Sequence, residues 1–76
     1  MNSQNPKIVI DPKVQHGKPL IRGTRVPVSR VVAGLAGGMT FQEVQDAYGI
    51  AAEDVRAALE YASQLVEQEE HHALPA

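Results

Sequence analysis

Residues 40–60, reading TFQEVQDAYGIAAEDVRAALE from Thr40 to Glu60, decide the fold. Thr40 stands three residues before Glu43, the spacing of a capping box: the threonine oxygen takes the Glu43 amide while the Glu43 carboxylate reaches back to the Thr40 amide. The helix so opened carries Phe41, Val44 and Tyr48 inward, and Gly49 stops it. Ile50-Ala51-Ala52 leads into the longest helix, from about Ala52 to Gln68, expected to bury Val55, Ala58, Leu59, Ala62, Leu65 and Val66. With Phe41 as its first position, a helix-turn-helix frame places Gly49 at the turn and Val44, Tyr48, Ile50, Val55 and Ala58 at the buried anchors. Such a turn needs a residue at ease with positive φ and apolar residues on both sides. Gln45 departs from the frame, because a small residue there usually permits close helix approach.

Working back from Thr40, Val28, Val31, Val32 and Leu35 fall on one helical stripe that Ser29 can cap and Gly37-Gly38 ends. Before it, Leu20-Ile21-Arg22 and Arg25-Val26-Pro27 flank Gly23-Thr24, a pattern that suits a tiny hairpin with a type II′ turn. Pro19 and Pro27 keep that pairing short, since neither donates to a ladder. Ile8-Val9-Ile10, stopped by Asp11-Pro12, reads as an edge strand or as a strand that pairs with another chain. The expected fold is mainly α: a three-helix helix-turn-helix bundle preceded by short N-terminal β-strands or a hairpin. Residues 8–68 form one domain, with strands over 8–28 and helices over 29–68. Residues 1–7 and 69–76 are expected to be flexible ends.

Charge divides the chain. Residues 1–38 hold six Lys and Arg against Asp11 alone, whereas residues 39–76 hold Arg56 against eight carboxylates. Halves of opposite sign can neutralise one another within the fold, pair with a copy, or offer two faces to different partners. The stretch His16–Val28, HGKPLIRGTRVPV, contains no acidic residue. Lys18, Arg22 and Arg25, with Arg30 beyond them, are the candidate nucleic-acid-binding residues, because guanidinium and ammonium groups grip phosphates. The competing account is that these cations pair with Glu43, Asp46 or Glu60. The outward positions of the second helix in the frame are Ala52, Glu53, Arg56, Ala57 and Glu60, with Asp54 beside them. Carboxylates there repel phosphates, so any nucleic acid must meet the basic N-terminal half instead.

A chain of 76 residues without cysteine has no disulfide framework and no thiolate metal site. Domains this small bury only about 60% of their unfolded surface, so a homodimer is the expected supplement. Met1 to Lys7 is polar and no apolar run approaches the ~18 residues of a membrane span, which predicts a soluble cytoplasmic protein with no membrane partner. His16 reads as a hydrogen-bonded turn residue. His71-His72 lack the further ligands that a metal site needs. Tyr48 and Tyr61 sit at helical spacing as packing residues. No nucleophile, base and oxyanion donor assemble, and no phosphate-cradling glycine loop occurs. The expectation is a protein that is not an enzyme, with no cofactor and no metal.

Four motifs in order then carry a resemblance: Ile8-Val9-Ile10-Asp11-Pro12, His16 to Val28, Gly38-Met39-Thr40, and Glu53 to Ala62. Together they resemble the bacterial family called domain of unknown function 433, over roughly residues 8–66. The resemblance implies a homeodomain-like helix-turn-helix fold. It also implies the antitoxin half of a toxin–antitoxin pair, with a nuclease-like toxin of the PIN type as partner and repression of its own operon as a possible second role. Relatives usually show Leu-Thr plus another residue where this chain has Ile50-Ala51-Ala52, so the threonine cap at Ala51 is missing. On the antitoxin reading, an acidic face with Glu53, Asp54 and Glu60 as partner-binding candidates, or the C-terminal tail, covers a basic nuclease site. The alternatives are a stand-alone DNA-binding regulator and a dimerisation module that touches neither.

Overall fold

The computed structural model describes residues 5–68. Two short strands come first, β1 (Ile8–Ile10) and β2 (Pro19–Ile21), and three helices follow, α1 (Val28–Ala36), α2 (Phe41–Tyr48) and α3 (Ala52–Gln68). The mainly helical three-helix architecture expected from the sequence is the one observed. Its interior is a single cluster of Ile21, Val28, Val31, Val44, Ile50, Val55 and Ala58, drawn from β2, all three helices and the α2–α3 turn.

Local signals map directly onto the helices. Glu43 N–H donates to Thr40 Oγ1 at 3.0 Å and Thr40 N–H donates to Glu43 Oε1 at 2.9 Å, completing the capping box. Gly49 adopts φ 67° and ψ 38°, a left-handed position that a Cβ would strain. Its neighbour Ile50 donates back to the Gln45 carbonyl at 3.1 Å. α1 ends in a Schellman motif, with Met39 N–H on the Gly34 carbonyl and Gly38 N–H on that of Leu35, each at 3.0 Å.

Ser29 does not cap α1. Pro27 does, at φ −71° and ψ 144°, and its carbonyl accepts from Arg30 at 3.0 Å. An isolated bridge between Leu20 and Pro27 fixes that proline against β2, so the helix begins two residues before a Ser29 cap would allow. The Gly23-Thr24 turn also differs from the type II′ expectation. Thr24 N–H closes on the Ile21 carbonyl at 3.0 Å, so Gly23, at φ 83°, is the second of the two central residues, and Arg22 keeps a negative φ. Positive φ at that second position belongs to a type II turn. β2 takes its main partner from further away: it pairs antiparallel with β1, Ile8 opposite Ile21 and Ile10 opposite Pro19.

Three apolar expectations fail. Phe41, the first residue of α2, is 39% exposed. Leu65 and Val66, expected inside, are 45% and 72% exposed, because the end of α3 runs past the elements that bury Val55 and Ala58. Ala57, assigned outward by the helix-turn-helix frame, is buried.

The missing cap at the start of α3 is half repaired. Asp54 Oδ2 accepts from the Ala51 amide at 3.0 Å, while the Ala51 carbonyl accepts from Asp54 and Val55. Only the side-chain acceptor at Ala51 is lacking. Ala51→Thr supplies it and should stabilise the domain by about 1 kcal/mol. For a chain of this size that corresponds to a rise in melting temperature of roughly 4–8 °C, measurable by circular dichroism. An unchanged or lower midpoint would show that Asp54 already saturates the helix start.

Candidate functional site

The four candidate cations lie on one continuous stretch of chain built around β2. Lys18 precedes the strand, Arg22 and Arg25 flank its closing turn, and Arg30 sits in the first turn of α1; all four are exposed. The turn between them is tightly tied. Thr24 Oγ1 donates to the Ile21 carbonyl at 2.8 Å and accepts from Val26 N–H at 2.9 Å, and Ile21 N–H donates to the Val26 carbonyl at 2.9 Å. Leu20 and Ile21 anchor the loop from below, both buried in the core. A fixed backbone under mobile cationic side chains lowers the ordering cost of meeting an anion.

Among the described residues, Lys18, Arg25 and Arg30 make no ion pair, with Glu43, Asp46, Glu60 or any other carboxylate. Arg22 is held differently: its Nε–H donates to the Pro6 carbonyl at 2.6 Å and its N–H to the Lys7 carbonyl at 2.7 Å. Its remaining guanidinium donors stay available on an exposed side chain.

Upstream of Lys18, the chain enters β2 through a left-handed turn. Gln15 and His16 adopt φ 52° and 57°, and Gly17 follows at φ 82°. Backbone bonds close the turn, Gly17 to Val14 at 3.0 Å and Lys18 to Gln15 at 3.1 Å. His16 is a turn residue, as expected, but the hydrogen bonds that close the turn run between its neighbours and His16 itself is exposed. His71 and His72, with the tail 69–76, lie outside the described residues.

On the opposite sign of charge, Glu53, Asp54 and Glu60 all project from α3 toward the N-terminal segment. Lys7 Nζ lies 3.5 Å from Asp54 and 3.8 Å from Glu53. Asn5 Nδ2 donates to Glu60 Oε1 at 2.7 Å. Residues 5–7, read from sequence as part of a frayed end, are therefore strapped across α3. Ala57 is buried between Glu53 and Glu60 on that face, and an open groove lined by Asn5, Pro6, Lys7 and Arg56 runs alongside. One signal could have exposed the strap: Lys7 N–H donates to Asn5 Oδ1 at 2.9 Å, an Asx turn that Asn-Pro favours.

The strap has a direct chemical consequence. The face that a helix-turn-helix protein would lay into a DNA groove is lined with carboxylates and contacted by the chain's own residues 5–7. Those carboxylates repel phosphates, which argues against α3 as a recognition helix. What the surface offers instead is a cationic loop and, apart from it, an acidic ridge on which the Glu53 side chain is 62% exposed and that of Asp54 20%. A pair as exposed as Lys7–Glu53 contributes little and exchanges readily for a partner's charges. Among the described residues no group of three or more His, Asp or Glu could hold a metal ion, and no helix is long and apolar enough to cross a membrane.

Residues 8–62 match the family model described as protein of unknown function (DUF433). A curated relative from Mycobacterium tuberculosis, provisionally named antitoxin VapB45, is 40% identical over 53 residues, covering 70% of this chain and 22% of that protein. Among solved structures, a DUF433 member from Anabaena variabilis is 41% identical with a TM-score of 0.75, covering 82% of this chain and 62% of that one. The M. tuberculosis protein Rv2018 is 40% identical with a TM-score of 0.63, covering 68% of this chain and 24% of that one. This chain thus spans about a fifth of the length of the curated relative it matches.

Proposed function

This chain belongs to the DUF433 family, and we propose that it serves as an antitoxin-like binding module without catalytic activity of its own, acting as a homodimer on a PIN-like nuclease toxin. The observation that carries this reading is the 40% identity, over 53 residues, to a mycobacterial protein provisionally named as an antitoxin. The chemistry on the surface supports it. A nuclease that handles RNA presents cations to phosphates, and Glu53, Asp54 and Glu60 give this chain an acidic ridge complementary to such a site.

The expected result is a stable complex with the nuclease encoded beside this chain, in which RNA cleavage is suppressed at equimolar protein. If that nuclease keeps full activity in excess of this chain, the proposal fails. Charge reversal at Glu53 and Glu60 should weaken the complex chiefly through slower association.

A second role, binding of operator DNA, is favoured by one specific observation: Lys18, Arg25 and Arg30 are exposed cations with no carboxylate partner among the described residues. On this reading phosphate contact comes from the cationic loop and α1, and α3 stays out of the groove. That arrangement predicts backbone binding with weak base discrimination.

A further inference from the structure

We propose that the outer edge of β1 seats a second copy of this chain, the two strands joining antiparallel about a two-fold axis at Val9. The proposal deepens the homodimer named above and rests on it.

The backbone supplies the first half of the case. The Lys7 carbonyl accepts from Arg22 N–H at 2.7 Å, so Lys7 and Arg22 form a hydrogen-bonded pair in the β1–β2 register. Antiparallel pairs alternate, which makes Val9 and Leu20 the next hydrogen-bonded pair and turns the backbone groups of Ile8 and Ile10 away from β2. Pro19 opposite Ile10 agrees, since it has no N–H to give. Ile8 N–H is taken by the Asn5 carbonyl at 3.0 Å. The Ile10 N–H and the Ile8 carbonyl are left facing outward without a partner among the described residues, beside an Ile10 side chain that is 55% exposed.

Sequence supplies the second half. Residues 6–12 read Pro-Lys-Ile-Val-Ile-Asp-Pro, symmetric in kind about Val9. An antiparallel copy centred there sets Lys7 opposite Asp11 of the second copy and Asp11 opposite its Lys7. Ile10 N–H then meets the second copy's Ile8 carbonyl, and the same bond repeats by symmetry. Exposed Ile10 packs beside half-buried Ile8 of the other chain, a cross-strand pair of β-branched residues. Pro6 and Pro12 end the ladder at both sides, so it closes on one partner. Such a contact is isologous and yields a closed dimer.

Ile10→Pro tests this directly, because it deletes an outward donor while the β1–β2 ladder keeps all of its bonds. Sedimentation velocity should find the wild-type chain dimeric and Ile10→Pro monomeric, with an unchanged far-ultraviolet spectrum. Should Ile10→Pro fail to fold, Asp11→Lys decides: it sets like charges opposite one another twice and should raise the dimer dissociation constant at least about tenfold. A folded Ile10→Pro that stays dimeric overturns the proposal, as does a dimer dissolved only by the double change Leu65→Asp and Val66→Asp at the end of α3. A monomeric wild type overturns the dimer altogether and leaves the nuclease-binding reading standing.

Discussion

Ile21→Ala is expected to cost about 2–5 kcal/mol of stability, the range for truncating a fully buried aliphatic side chain. Ile21 is only 1% exposed and lies in the cluster that joins β2 to all three helices. Removing its outer carbons leaves a cavity bordered by helices whose positions the rest of the core fixes, so little collapse can relieve it. At 0.05–0.15 kcal/mol per residue, a domain of this length has a total stability of roughly 4–11 kcal/mol, and a loss of this size unfolds a measurable fraction. The site suffers with the fold, because the Ile21 carbonyl holds both the amide and the hydroxyl of Thr24. Urea denaturation followed by circular dichroism reads the effect as a lower midpoint at constant slope. Val66→Ala, at a position 72% exposed near the end of α3, is the control and should stay within about 0.5 kcal/mol of wild type. Equal losses at the two positions would mean that Ile21 does not join β2 to the helices as described.

Lys18→Ala, Arg22→Ala and Arg25→Ala combined should remove nucleic-acid binding while sparing the fold. Each phosphate contact on duplex DNA contributes about 0.9 to the slope of log affinity against log salt, so three lost contacts flatten that slope by nearly 3. At 0.1 M salt this amounts to a loss on the order of a hundredfold in affinity. Thermal stability should hardly change. Lys18 and Arg25 have no ion partner among the described residues, and Arg22 gives up one surface bond to the Pro6 carbonyl. Fluorescence anisotropy over a salt series, alongside melting curves, separates the readings. A triple variant that binds DNA as wild type does sinks the cationic loop as a phosphate surface. A lowered melting temperature with no DNA binding by either protein would make the chain a dimerisation module whose cations serve internal contacts.

The sequence by itself determined whatever depends on residues within a turn of one another. The Thr40–Glu43 box, the stops at Gly37-Gly38 and Gly49 and the span Ala52–Gln68 are hydrogen-bond and dihedral preferences over three to five positions, and all were legible. The helix-turn-helix anchors Val44, Ile50, Val55 and Ala58 were legible too, because helical periodicity fixes which side of each helix is apolar. The cationic stretch was visible as composition, but whether carboxylates would neutralise it was not, since that depends on what stands opposite. Tertiary structure decided the rest. The pairing of β1 with β2 sets Arg22 against the strap, the Leu20–Pro27 bridge places Pro27 at the head of α1, and packing on all three helices buries Ile21. The strap itself packs beside Ala57 and takes the carboxylates of α3, on a face whose charges already argued against DNA. Leu65 and Val66 obey the same periodicity as Val55, yet are exposed because no element among the described residues reaches them. Periodicity assigns a residue to a side of its helix; only the lengths and crossings of the other elements determine whether anything is there to bury it.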